Sequence, residues 1–220
     1  MSGFPGSPKV LKGAIVLLDP DKFTLLSNGI IILQYNPDTL TRTFKIKGAE
    51  EGGDRSEQMR LTGPPVETIK LEAEIDATDQ LEKPDENPNT VQYGIFPQLS
   101  VLETTVYPSS LTLQNNYAQA QMGTLEIMPM MSPYTIFVWS AQRVVPVRIV
   151  ELSITEEAFD PTLNPIRAKV SLGLRVLTID DLYFTDKGGS LYMAYQQQKE
   201  SLARMFQGGT FGQLGITGVS

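Results

Sequence analysis

A mainly β fold with a few helices is what the sequence predicts, and three observations carry that expectation. The stretch 146–177, PVRIVELSITEEAFDPTLNPIRAKVSLGLRVL, alternates apolar and polar residues along two long segments. A separate run at 67–76, ETIKLEAEID, alternates in the same way. Apolar residues fall at helical spacing in only two places, 94–107 and 190–206. A period of two sends successive side chains to opposite faces of a strand, whereas spacings of three and four line one face of a helix.

The fold is organised around 146–177. In its second half Ile166, Ala168, Val170, Leu172, Leu174 and Val176 share one side, and Arg167, Lys169, Ser171, Gly173 and Arg175 share the other. Eleven extended residues span about 36 Å, long for a small domain. Burial of each larger apolar side chain contributes about 1.5–3 kcal/mol, so this row is the expected core. The first half sets Val150, Leu152 and Ile154 against Glu151, Ser153 and Thr155. Between the halves the Asp-Pro and Asn-Pro steps of 156–165 mark a turn.

Taken in order, the first dozen residues are punctuated by Gly, Pro and Ser and are expected to be loosely held. A short strand follows at 14–18, then the apolar run 29–34, which suits a strand buried on both faces. That run enters the turn Tyr35-Asn36-Pro37-Asp38. Beyond it Leu40, Phe44 and Ile46 alternate with Thr41, Thr43, Lys45 and Lys47, so the expectation is a hairpin. Residues 48–65 lack periodicity and read as a surface insertion, and the polar 78–89, with two prolines, reads as loop. A helix over 94–107 places Ile95, Leu99, Leu102 and Val106 on one stripe, with Pro97 in its first turn. Residues 111–133 resist assignment, with 125–128 a candidate short strand, and 134–140 is an aromatic β-prone run. The last helix, 190–206, takes Ser190 as its N-cap and Leu191, Tyr195, Leu202 and Met205 as its stripe. The expected division is a β domain over 1–180 with the insertion 48–65, followed by the helix and Gly-rich tail of 181–220.

Composition narrows the chemistry. The 220 residues carry a formal net charge of -7 and contain neither cysteine nor histidine. Disulfides, thiolate nucleophiles, imidazole bases and zinc sites of the usual ligands are therefore excluded. The acidic balance argues against nucleic-acid binding. No apolar run approaches the ~18 residues of a membrane-spanning helix, and the start shows no basic end followed by an apolar block. Folding in the cytoplasm without direct membrane insertion is the expectation. No G-x-G-x-x-G, phosphate-loop or G-x-S-x-G pattern occurs. The acid pairs Glu156-Glu157 and Asp180-Asp181 sit at strand ends beside turns, where acids serve solubility and capping. The reading is no enzyme, no cofactor and no metal. The wet face of 67–76 is acidic and that of 166–176 basic. Three uses stay open for these rows: solvated faces, pairing across strands of one sheet, or pairing between neighbouring copies.

Five stretches together carry a family resemblance: YNPDTL at 35–40, ETIKLEAEIDATD at 67–79, YGIFPQLSVLETTVYP at 93–108, the run 144–177, and YMAYQQQKESLA at 192–203. In this order they cover most of the chain. It resembles the tube-type proteins of bacterial contractile injection systems, the phage-tail-like machines, and most closely their baseplate tube-adaptor component. The resemblance implies a tube- or hub-like antiparallel β-barrel with one packed helix and a C-terminal helix. It also implies a homohexameric ring joining the inner tube protein to the spike protein and the baseplate wedge proteins, assembled in the bacterial cytoplasm. Adaptors of this type often carry a LysM module after the barrel. Here only a helix and a Gly-rich tail follow, which puts direct glycan binding in doubt. The residues expected at contacts between copies and rings are Asn36, Pro37, Glu72, Glu74, Asp76, Phe159, Asp160, Arg167, Lys169, Arg175, Tyr192 and Tyr195, with loops 48–65 and 156–165 and both chain ends. Alternatives within the machine are an inner-tube initiator or a phage tail hub protein. From other classes, a β-barrel carbohydrate-binding module would use aromatics such as Tyr134, Phe137 and Trp139, and a hydrolase would have to work with carboxylates alone.

Overall fold

A computed structural model describes residues 11–48, 60–123 and 131–219. Seven strands are described: β1 (Ala14–Leu18), β2 (Leu25–Ile32), β3 (Leu40–Lys45), β4 (Val66–Asp76), β5 (Tyr134–Ser140), β6 (Arg143–Phe159) and β7 (Pro165–Val176). They form one antiparallel sheet in the order β2-β1-β5-β6-β7-β4-β3. The fold is mainly β, as expected, but the sheet is not closed into a barrel, because β2 and β3 remain its two edges. The expected hairpin over 29–46 is not formed either. β2 pairs with β1 and β3 with β4, so these sequence neighbours lie at opposite edges.

The connection 33–39 crosses from one edge to the other, and that forces the sheet to roll. Six inter-strand steps of about 4.8 Å would separate the edges of a flat sheet by about 29 Å. The eight Cα steps from Ile32 to Leu40 reach about 29 Å only when fully extended, and this link bends at 34, 35 and 38. The roll is pinned where the edges approach. The side-chain amide of Gln34 donates to the Asp76 carbonyl at 2.6 Å and accepts from the Asp76 N–H at 2.9 Å, standing in for one residue of a missing strand. β3 is too short to continue this closure, since its pairing with β4 stops at Leu40 opposite Leu71. The apolar run 29–34 is accordingly not buried on both faces: Ile30 and Ile32 are exposed on the edge strand, while Leu33 enters the core and Ile31 packs against it half-buried.

The core lies on the concave face. Ala168, Val170, Leu172, Leu174 and Val176 of β7 are buried, and Ile69, Leu71 and Ala73 of β4 and Phe137, Val145 and Val147 of β5 and β6 join them. The alternation of 166–176 is obeyed throughout, whereas that of β6 is not. The register with β7 shifts between Ile149 and Glu151, so Val150 is an extra, bulged residue, half exposed. Ile149 packs inward before the bulge, and Leu152 and Ile154 after it. Gly173 sits opposite, where a Cβ would lie 2.8 Å from Cβ of Glu151. The strand itself runs to Phe159, and the turn is confined to 160–164.

Five helices complete the described fold: α1 (Thr78–Leu81), α2 (Pro88–Tyr93), α3 (Phe96–Glu103), α4 (Ser110–Gln121) and α5 (Lys187–Arg204). The polar 78–89 is thus not loop. Pro88 occupies the first turn of α2, the position where a missing N–H is free of cost. The helix expected over 94–107 is cut short at both ends. Gly94, at φ 57°, separates α2 from α3 where a Cβ would strike the Pro165 carbonyl. Ile95, Leu99 and Leu102 cover the core as expected, with Pro97 in the first turn of α3, but Val106 lies beyond the helix and is exposed. α5 begins three residues earlier than expected, with Asp186 as its N-cap in place of Ser190. Its buried stripe is Gly188, Gly189, Tyr192 and Tyr195, while Leu202 and Met205 are exposed. The candidate strand 125–128, the first ten residues and most of the insertion 48–65 lie outside the described residues; of the last, Gly48 and Leu61 form an isolated bridge.

Candidate functional site

The charged rows on the convex face meet within the chain. β4 and β7 are in register so that Glu74 faces Lys169 and Asp76 faces Arg167. Arg167 lies 2.7 Å from the Asp76 carboxylate and 3.6 Å from Glu74, Lys169 lies 2.9 Å from Glu157, and Arg175 lies 2.6 Å from Asp181. Lys70 reaches across β7 to Glu151 at 2.7 Å, and Ser171 bonds Glu72 at 3.4 Å. Burial pushes the Asp76 carboxyl up, but hydrogen bonds from Thr78 and Arg167 outweigh it and hold it below its ordinary value. Hydrogen bonding to Asp76 raises Arg167 in turn, and hydrogen bonding to Glu157 raises Lys169. Of the three uses left open for these rows, cross-strand pairing is the one realised in this chain. Each exposed pair contributes about 0–1 kcal/mol.

The remaining expected contact residues divide into anchors and exposed tips. Asn36 is an anchor: its amide donates to the Leu11 carbonyl at 2.7 Å and its oxygen accepts from the Gly13 N–H at 3.0 Å, with half-buried Pro37 beside it. Asp160 closes the β6–β7 turn by accepting from the Thr162 hydroxyl, the Asn164 side-chain amide and the backbone N–H groups of both residues. These bonds, that of the Asn164 side chain foremost, hold its carboxyl down at about 2. Phe159 and Leu163 project from this tip, exposed, with Leu163 at φ 66°, a conformation costly for a bulky side chain. Tyr192 and Tyr195 are different. They are 5% and 3% exposed and belong to the core of this chain.

Sequence reasoning missed the most buried charge among the described residues. Glu67 is 3% exposed on the concave face. Arg42 holds its Oε1 at 2.7 Å, the Tyr195 hydroxyl donates to it at 3.2 Å, and Lys199 lies 3.9 Å away. Arg42 also donates to the Tyr195 hydroxyl at 2.8 Å. The cluster fastens α5 over β3 and β4. Burial pushes the Tyr195 phenol up and the Lys199 ammonium down, and in each case the Glu67 charge pulls upward. A buried carboxylate gripped through Oε1 by both Arg42 and the Tyr195 hydroxyl ties the helix to the sheet. The signal was parity, because Glu67 is in phase with Ile69, Leu71 and Ala73, and Arg42 with Leu40. Among the described residues no group of three or more Asp and Glu side chains is placed to hold a metal ion.

The opening left by the unclosed sheet is a cleft of about 720 Å³ between β2 and the C-terminal half of β4. Ile31, Ala73, Val170 and Leu172 line it, α3 adds Val101 and Gln98, and Glu74, Asp79, Glu82 and Glu86 stand at it against two lysines, Lys12 and Lys83. Gln98 Oε1 is buried there without a hydrogen-bond partner.

Apolar side chains left uncovered by the described residues include those of α4 and of the segment after α5. No residue of α4 is buried, and Leu111, Leu113 and Tyr117 are exposed along it. Beyond α5, Met205, Phe206, Phe211, Leu214, Ile216 and Val219 are all exposed. No protein-family model matches the chain, and no curated protein matches it in sequence, so its function is argued from these surfaces and the residues that form them.

Proposed function

We propose that the protein is a structural component of a contractile injection system, a ring-forming adaptor that joins the inner tube to the spike and baseplate, acting without catalysis or cofactor. The observation that carries this reading is the uncovered apolar surface of α4 and of residues 205–219. A helix of 12 residues is marginal in water on its own, and protein helices draw most of their stability from packing. Among the described residues nothing buries a side chain of α4, and in this reading the partner surface comes from another molecule. An exposed apolar surface of this kind marks an interaction site. The rolled amphipathic sheet supports the same reading, and so does the resemblance of the five stretches to tube-adaptor proteins. No helix among the described residues is long and apolar enough to cross a membrane.

The test is negative-stain imaging with mass measurement of the purified protein, alone and co-expressed with the inner tube and spike proteins of the same machine. A sixfold ring, alone or at the end of a tube, is the expected result. A monomer that fails to join tube and spike in the co-expression would overturn the reading.

A further inference from the structure

We propose that the cleft between β2 and β4 is a docking site for the C-terminal segment, residues 205–219, of a second copy of this chain. The contact gives the assembly reading a specific joint, and rests on that reading only in needing another copy.

Both halves of the contact are present in the molecule, and each is incomplete alone. The cleft has two strand edges facing it. Among the described residues β2 is an edge strand, and β4 beyond Leu71 has no strand on its β3 side. Gln34 already occupies one position of that missing strand at Asp76. Alternation along β4 aims the backbone groups of Glu74 to the same side, so an incoming segment extends a ladder that Gln34 begins. Gln98 Oε1, buried and unpartnered in the cleft wall, supplies an acceptor for one of its N–H groups. An acceptor left in this state costs about 1–3 kcal/mol, which a docked N–H recovers.

The segment matches what the cleft offers. Residues 205–219 carry no charge, as an apolar floor requires, and once the single 3-10 turn Phe211–Leu214 extends on docking, Leu214 and Ile216 point together. Glycines at 208, 209, 212, 215 and 218 let the backbone approach a wall closely. Arg204, at the root of the segment, meets a rim where four acids oppose two lysines. In its own subunit the segment is exposed along its length, and its hydrogen bonds are local, such as the Thr210 N–H to Gln213 Oε1 at 2.9 Å. Its removal therefore takes no buried side chain from the body.

The experiment measures fluorescence polarisation of a labelled synthetic peptide of residues 204–219 on the chain ending at Arg204. Saturable binding is expected. It should weaken at least tenfold when the peptide carries Leu214→Asp and Ile216→Asp, and equally when the protein carries Val101→Glu. Gln98→Leu should weaken binding several-fold without lowering the melting temperature, a combination that simple damage to the fold would not give. Sedimentation of the full chain should show a mass above that of one copy, and the shortened chain should stay monomeric over the same range. Absence of saturable binding, equal binding of a scrambled peptide, or indifference to both Val101→Glu and Gln98→Leu overturns the proposal. So does a full-chain mass that stays that of a single copy at every concentration, because the tail then fills its own cleft or none. A sixfold ring that persists without residues 205–220 would sink this joint and leave the ring reading standing.

Discussion

Replacing Arg42 by methionine tests whether the Glu67 cluster is the tie that holds α5 to the sheet. The substitution keeps the apolar stem and removes the guanidinium that lies 2.7 Å from the carboxylate. Breaking a buried ion pair by removing one partner costs about 3–5 kcal/mol, because the other charge stays buried. The Arg42 side chain is 25% exposed against 4% for Glu67, and Lys199 stands 3.9 Å away as a partial substitute. Those two facts bring the expected loss to about 2–4 kcal/mol. For a chain of this length that is a fall of roughly 4–16 °C in melting temperature. The double variant Arg42→Met with Glu67→Leu removes both charges, and apolar replacements of a buried pair are often neutral. It should recover at least half of the loss. Urea unfolding of parent, both single variants and the double variant closes the cycle. A cost for Arg42→Met within about 0.5 kcal/mol of zero, or a double variant less stable than either single one, would refute the argument.

Three other perturbations follow from the same structure. Leu174→Ala opens a cavity at a fully buried position of β7 and should cost about 2–5 kcal/mol in urea unfolding, against a negligible effect for Leu163→Ala at the exposed hairpin tip. Gln34→Ala removes both bonds to the Asp76 backbone and should cost about 1–3 kcal/mol, with faster hydrogen exchange at the Asp76 amide as its local mark. Asp160 titrates at about 2 in the folded chain and at 3.8 ordinarily, so its contribution is complete above pH 4 and is lost as pH falls through 2. Asp160→Asn should therefore flatten the decline of melting temperature between pH 4 and pH 2, and an unchanged slope would show that the turn bonds do not favour the carboxylate.

The sequence made the central ribbon legible because both of its neighbours are strands. From Ala168 to Val176 each residue of β7 faces either the core or the charged surface, and period two survives intact. β6 broke the same rule at Val150, since a bulge adds a residue without any change in composition to announce it. The rolled sheet was hidden for another reason. Pairing is a long-range choice, and nothing in 29–46 shows that β2 and β3 prefer distant partners to each other. The short helices between 78 and 93 are tied by hydrogen bonds of Asn87 and Thr90 to Gln80 and Lys83, with Pro88 in the first turn of α2, not by an apolar stripe, so periodicity could not reveal them. At the site level the acidic and basic rows were visible as rows, but which charges they meet is a matter of register. Glu67 and Gln34 were invisible as functional groups because a single polar residue in a strand reads as surface until its phase is compared with its neighbours.

The most direct measurement is hydroxyl-radical footprinting of the isolated chain against the same chain assembled with tube and spike proteins. Leu111, Tyr117, Met205 and Phe206, all open to solvent in the single copy, should become protected on assembly, while Lys70 and Glu151 on the convex face should change little. Protection confined to the convex face, with α4 and the C-terminal segment still fully reactive, would contradict the account.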